Sequence, residues 1–158
     1  GTQYGTSPIT RHTVPGCMQK NPSYPRGVTA EVLEFFAARI FEAQHAGLPR
    51  EKIIIDPGLG FGKTLDHNLT LLAQLDVFCK SGYPVLVGMS RKSMLGTLTG
   101  RPVGERQVAG AVAAMLALER GASIVRTHDV AATRDVMRVF SGLEAAEFRL
   151  GRRADPND

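Results

Sequence analysis

At 158 residues, with 43% apolar and 22% charged side chains, the chain has the size and composition of one soluble domain, and no apolar run approaches the ~18 residues of a membrane helix. Cys17 and Cys79, with no CxxC pair, exclude a disulfide framework or zinc site as organising features and fit a reducing cytoplasm; no secretion signal is legible at the N-terminus. A net charge of +4, with Lys and Arg scattered apart from Arg152-Arg153, gives no support to nucleic-acid binding and leaves small anionic substrates open.

Residues 1–27 read as irregular, because four glycines and Pro8, Pro15, Pro22 and Pro25 break any period. A helix is expected from Val28, capped by Thr29, with Val28 and Leu33 as a hydrophobic staple. It carries Leu33, Phe36, Ile40 and Phe41 at helical spacing and stops at Gly47. Ile53-Ile54-Ile55 reads as a buried strand that ends abruptly in Asp56-Pro57-Gly58. A helix from near Asp66 turns Leu69, Leu72, Leu75 and Phe78 inward and ends before Gly82. The strand Pro84-Val85-Leu86-Val87 then runs out into Gly88-Met89-Ser90-Arg91-Lys92. An Ala-rich helix spans about Glu105 to Arg120, with Gly121 as its stop. The strand Ser123-Ile124-Val125 ends in Arg126-Thr127-His128-Asp129, and a last helix runs from about Val130 to Phe140. Residues 28–150 thus form one run of βα units, and the polar tail 151–158 is expected to be disordered.

The strands recur at roughly 35-residue intervals with a helix between each pair, the period of βαβ crossovers, so they should be parallel. Parallel strands are covered on both faces, which accounts for continuous apolar runs instead of alternation. The fold class is α/β. Each strand stays apolar to its end and then delivers polar groups: Asp56; Ser90, Arg91, Lys92 and Ser93; Arg126 and His128. Ligands of parallel α/β folds bind at the carboxyl ends of strands, so three such ends together point to a site of mixed charge.

The segment from Asp56 to Thr64 invites a nucleotide-binding reading and fails it. A P-loop needs glycine where Pro57 stands, and G-x-G-x-x-G needs glycine where Lys63 stands. What remains is a glycine-rich loop, expected to be mobile, that carries Phe61 and hangs from a strand-end carboxylate. Arg126 and His128, at i and i+2 of an extended segment, share a face. A guanidinium beside an imidazole suits an oxyanion such as phosphate. His12, His45 and His67 have no such setting and read as surface or capping residues.

Asp56-Pro-Gly-Leu-Gly-Phe-Gly-Lys63, Pro84-Val-Leu-Val-Gly-Met-Ser-Arg-Lys-Ser93 and Arg126-Thr-His-Asp-Val130 resemble, in order and spacing, three C-terminal signature segments of dihydropteroate synthase, over about residues 28–142. The resemblance implies the C-terminal portion of a (β/α)8 TIM barrel. It also implies a transferase of folate biosynthesis that joins 6-hydroxymethyl-7,8-dihydropterin pyrophosphate to p-aminobenzoate and releases pyrophosphate. Mg2+ would assist, sulfonamides would compete with p-aminobenzoate, and the enzyme would be a cytoplasmic homodimer pairing through its C-terminal helices. By the same resemblance, Asp56 would bind the amino-pyrimidine edge of the pterin, Lys92 would donate to its ring and Gly88 would line its floor. Phe61 would pack near the p-aminobenzoate ring, Ser93 near its carboxylate, and Arg126 and His128 would hold the pyrophosphate. The catalytic set is Lys92, Arg126 and His128, with no protein ligand for a metal.

The family's further Asp and Asn residues on earlier strands have no counterpart here. Cys17-Met18-Gln19-Lys20-Asn21-Pro22 is similar to the family's His-Met-Gln-Gly-x-Pro after its fifth strand, with Cys for His and Lys for Gly. Residues 1–16 do not read as the apolar strand that should precede it. Three legible strands cannot close an eight-stranded barrel, so the chain alone is expected to bind phosphate or pyrophosphate weakly and to make no pteroate. Two other readings are compatible with the same sequence: a P-loop-like phosphate- or nucleotide-binding module, and a non-catalytic piece whose helices serve association only.

Overall fold

The computed structural model describes residues 9–11 and 23–151. Strand β1 (Ile9–Arg11) pairs in parallel with β2 (Ile54–Asp56), placing Ile9 opposite Ile54 and Arg11 opposite Asp56. Strand β3 (Leu86–Val87) pairs in parallel with β4 (Ile124–Val125). A parallel bridge between Ile55 and Val85 joins the two pairs, and the Ile55 N–H donates to the Pro84 carbonyl at 3.0 Å. The strands therefore succeed one another in chain order, β1-β2-β3-β4, all pointing the same way. Their carboxyl ends meet on one rim. The α/β reading with parallel strands holds.

The segment expected to be irregular over residues 1–27 thus contains a strand. Ile9-Thr10-Arg11 has one large apolar residue and no periodic pattern, so what defines it as a strand is its backbone pairing with β2. Cys17, His12 and the tail from Arg152 lie outside the described residues.

Consecutive residues Val85, Leu86 and Val87 are all buried, as are Ile53 and Ile55, which is the signature of a sheet covered on both faces. Covering it are α1 (Val28–His45), α2 (Leu65–Ala73), α3 (Leu75–Cys79), α4 (Ser93–Thr99), α5 (Gln107–Glu119) and α6 (Val130–Arg149). Val32 and Phe36 of α1, Leu71 and Leu75, and Phe78 of α3 pack with the strand residues into one core. The rings of Phe36 and Phe78 meet edge to face at 6.1 Å. No described helix is long and apolar enough to cross a membrane.

Four helix expectations need correction. Helix α1 begins at Val28, itself buried, with Gly27 in the cap position; the Thr29 hydroxyl donates instead to Gln74 at 2.6 Å, tying α1 to the end of α2. The helix expected from Asp66 to Gly82 breaks at Gln74 into α2 and α3. The buried stripe nevertheless runs on across the break through Asn68, Leu71, Leu72, Leu75 and Phe78, and Leu69, expected to turn inward, lies beside it and is exposed. Helix α4 was not foreseen, because seven residues hold too few turns for a periodic signal. Helix α6 continues past Phe140 to Arg149. His67 does cap, as expected: its Nδ1 accepts from the Thr64 N–H at 3.3 Å while the Thr64 hydroxyl accepts from the His67 N–H at 3.2 Å. His45 stacks on Phe41 at the surface.

Candidate functional site

Asp56 closes β2 and is buried, and its carboxylate accepts the Gly58 N–H at 2.9 Å across a tight turn through Pro57. Gly58, Gly60 and Gly62 sit at φ of 69°, 80° and 56°, the left-handed region that glycine enters without strain. This alternation needs those glycines and folds the loop back on itself.

The loop expected to be mobile is tied at several points. The Lys63 ammonium donates to the carbonyls of Gly58 at 3.1 Å and Phe61 at 3.2 Å. Asn68, buried in α2, accepts the Gly60 N–H at 2.6 Å and donates to the Thr64 carbonyl at 2.7 Å. The Tyr24 hydroxyl donates to the Gly62 carbonyl at 3.3 Å. A P-loop lysine would face a phosphate; this one faces its own loop.

Lys92 reaches this loop from the next strand end. It stands at the cap of α4, and its ammonium donates to the Leu59 carbonyl and lies 3.7 Å from the centroid of the Phe61 ring, a cation–π contact. Asp56, Phe61 and Lys92 are therefore brought into one neighbourhood by two adjacent loops. Ser93, one residue on, is exposed at the start of α4.

The second part of the rim is built around Gly88. A Cβ placed on Gly88 would lie 2.7 Å from one Arg126 guanidinium nitrogen and 3.0 Å from another, so the guanidinium rests directly on the glycine backbone. Two residues further, both the backbone N–H and the Nδ1 of His128 meet the Ser90 hydroxyl, at 3.2 and 3.3 Å. Arg126 and His128 are exposed. Beside them Arg91 forms a fork on Asp129, with Nη2–Oδ1 at 2.7 Å and Nε–Oδ2 at 3.3 Å, and Ser90 donates to the same carboxylate at 3.3 Å. The hydrogen bond from Arg91 holds the Asp129 carboxyl below its usual range, against a smaller opposing effect of desolvation.

Chemically, the rim offers a buried carboxylate able to accept paired N–H donors, an ammonium next to an aromatic ring, and a guanidinium–imidazole pair open to an oxyanion. Among the described residues no three His, Cys, Asp or Glu side chains converge to hold a metal ion. Sequence reading missed Asn68, Asp129 and Arg106, whose guanidinium donates to the carbonyls of Arg91 at 3.1 Å and Lys92 at 3.3 Å at the start of α4. Asn68 had a signal, a polar residue in phase with Leu65 and Leu72 on the apolar stripe of α2. The roles of Arg106 and Asp129 depend on partners remote in sequence.

A family profile described as pterin binding enzyme matches residues 2–128, a span that includes the N-terminal segment whose sequence is irregular. The dihydropteroate synthase of Haemophilus influenzae is 47% identical over 126 residues, covering 80% of this chain and 46% of that protein. The dihydropteroate synthase of Yersinia pestis with a sulfonamide drug complex superposes with a TM-score of 0.84 at 36% identity, covering 87% of this chain and 51% of that one. That of Xanthomonas albilineans in complex with 7,8-dihydropteroate gives 0.79 at 40% identity, covering 87% and 50%. The chain spans about half the length of the relatives it matches. With most of its residues inside the matched profile and the three signature segments on one rim of a parallel sheet, the chain belongs to the pterin binding enzyme family.

Proposed function

We propose that this chain carries strand-end groups of a dihydropteroate synthase, a transferase of folate biosynthesis, and that its four-stranded sheet is an arc of the family's eight-stranded barrel. The single observation that carries the reading is that Asp56, the loop bearing Lys92 and the segment bearing Arg126 and His128 all leave the carboxyl ends of neighbouring parallel strands. The amino group of p-aminobenzoate attacks the methylene carbon of 6-hydroxymethyl-7,8-dihydropterin pyrophosphate, and the carbon–oxygen bond to pyrophosphate breaks. No protein nucleophile is required. Negative charge gathers on the departing pyrophosphate, where fixed cations lower the barrier most.

In this reading Asp56 accepts two N–H donors from the amino-pyrimidine edge of the pterin, a pairing that suits a carboxylate. Lys92 donates to the pterin ring from its seat over Phe61, and Gly88 lines the floor of the site, where its lack of a side chain seats the Arg126 guanidinium. Phe61 flanks p-aminobenzoate, or a competing sulfonamide, and Ser93 lies near its carboxylate. Arg126 and His128 take the pyrophosphate oxygens. The Mg2+ implied by the resemblance finds no ligand cluster among the described residues, so no residue of this chain is assigned to it.

A cytoplasmic homodimer belongs to the same proposal. Val108, Val112 and Leu116 repeat along one exposed side of α5 and, with Leu69, Leu72 and Leu98, line an apolar hollow of about 730 Å3. An apolar surface of this kind is suited to cover by a second copy.

The test is ligand protection. A pterin pyrophosphate should raise the melting temperature of the chain and ATP should not. Lys92→Ala and Asp56→Asn should each weaken pterin binding by about 10–100-fold, the worth of one charged hydrogen bond of about 1.5–3 kcal/mol. Equal protection by ATP, or undiminished pterin affinity in both variants, would overturn the assignment.

A further inference from the structure

Arg91 adopts φ of 61°, the one non-glycine residue at positive φ among those described. An L-residue is strained there, and glycine is not. The neighbouring loop meets the same demand with Gly58, Gly60 and Gly62, so an arginine in this conformation points to a use for its side chain. That side chain forks onto Asp129, 38 positions away. The Arg91 side chain is 44% exposed, and so open a pair adds little to stability; what it does supply is geometry.

Asp129 is equally out of its ordinary role. It stands at the N-cap of α6, where a carboxylate usually accepts an amide of the first turn, yet it makes no such bond. Both of its oxygens go to the loop after β3: one to Arg91, the other shared by Arg91 and Ser90. The start of α6 is secured differently, by the Thr127 hydroxyl accepting the Asp129 N–H at 3.0 Å and by buried Thr133 donating to Thr127 at 3.0 Å.

The proton count then reaches His128. An ionised carboxylate only accepts, so the single Ser90 hydroxyl proton goes to Asp129. The Ser90 oxygen is left with lone pairs for the His128 N–H and for Nδ1, which must therefore carry a proton. From behind, the Arg106 guanidinium donates to the carbonyls of Arg91 at 3.1 Å and Lys92 at 3.3 Å, so the turn that orients Arg91 toward Asp129 also orients Lys92 toward the glycine loop.

We infer that Asp129 and Arg91 are positioning residues that act on His128 through Ser90, holding the imidazole against the loop after β3 with its proton on Nδ1 and Nε2 as the free ring nitrogen. The inference rests on the anion-site reading above for its consequence in binding, and on the hydrogen-bond relay alone for the tautomer.

The two are separated by experiment on the full chain carrying 15N-labelled histidine, with the His128 signals assigned by their loss in His128→Gln. Near pH 8, where an ordinary imidazole is neutral, the shifts should report a protonated Nδ1 and an unprotonated Nε2. Asp129→Asn gives Ser90 an amide donor, freeing its own proton for Nδ1, and should move His128 toward the Nε2–H tautomer. Dominance of Nε2–H in the unaltered chain, or an unchanged spectrum in Asp129→Asn, would overturn the relay. For binding, Arg91→Gly removes the strain and the fork together. Its melting temperature should not fall, while inorganic pyrophosphate should bind about tenfold more weakly, as expected when a charge-assisted contact is misplaced; Arg91→Lys should recover most of that loss. Pyrophosphate affinity within twofold of the unaltered chain in Arg91→Gly would refute the positioning role. If the unaltered chain bound no pyrophosphate, the anion-site reading would fail, and the His128 spectrum would still decide the relay.

Discussion

Replacing Gly88 by alanine adds one methyl group beneath the Arg126 guanidinium. The new Cβ would stand 2.7 Å from a guanidinium nitrogen, 3.0 Å from Nε and 3.1 Å from Cζ. Ordinary contact begins near 3.5 Å, so the guanidinium must retreat by about 0.7 Å or more. Gly88 is not among the positive-φ residues, and alanine meets no backbone penalty. Its restriction of the unfolded chain is worth about 0.4–1 kcal/mol of stabilisation, so the melting temperature should hold or rise. Binding should move the other way. A charged hydrogen bond carries about 1.5–3 kcal/mol, and a partial loss of about 1–2 kcal/mol corresponds to about 5–30-fold weaker pyrophosphate binding. Calorimetric titration at low salt reads this directly, and the mechanism is isolated by a double-mutant cycle. In an Arg126→Ala background, Gly88→Ala should have no further effect. A similar penalty in both backgrounds, or none in either, would refute the claim that Gly88 acts by seating Arg126.

Three further outcomes are expected. The Asp129 carboxyl, depressed chiefly by the Arg91 hydrogen bond, contributes stability that is present above the ordinary carboxylate value and lost as pH falls through its lower folded value. The melting-temperature gap between the chain and Asp129→Asn, small because the pair is exposed, should therefore close below about pH 4, and a gap that persisted at lower pH would count against the pair. Asn68→Ala should cost about 1–3 kcal/mol, because it strands the Gly60 N–H and takes the side-chain donor from the Lys63 carbonyl, while the Thr64 carbonyl keeps the residue-68 backbone N–H. It should also speed hydrogen exchange at the Gly60 amide, whereas unchanged protection there would show that the loop is held by other means. Light scattering at tens of micromolar should give the mass of a dimer, and a second charged residue on α5, Val112→Asp, should reduce it to that of a monomer.

The parts of this protein legible in sequence are those whose cause is local. Parallel strands buried on both faces require unbroken apolar runs, so Ile53–Ile55 and Val85–Val87 announce themselves, and the first polar residue after each marks the rim. The glycines from 58 to 62 follow from the left-handed turns they make, and Asp56, Lys92, Arg126 and His128 could be named from strand-end position and from motif. Tertiary structure decided whatever depends on a remote partner. Ile9-Thr10-Arg11 is a strand only because β2 supplies the other half of its hydrogen bonds. Leu69 is exposed because the face that packs on the core runs through Asn68, Leu71, Leu72, Leu75 and Phe78, a choice between neighbouring leucines that only the packing makes. Gly88 needs its missing side chain because Arg126 arrives from the adjacent strand. Arg91 and Asp129, 38 positions apart, share a fork that neither residue's own segment encodes. Local propensity and periodicity see a few turns of chain at most, whereas the groups that shape this rim are held by contacts made across loops, which exist only once the sheet has assembled.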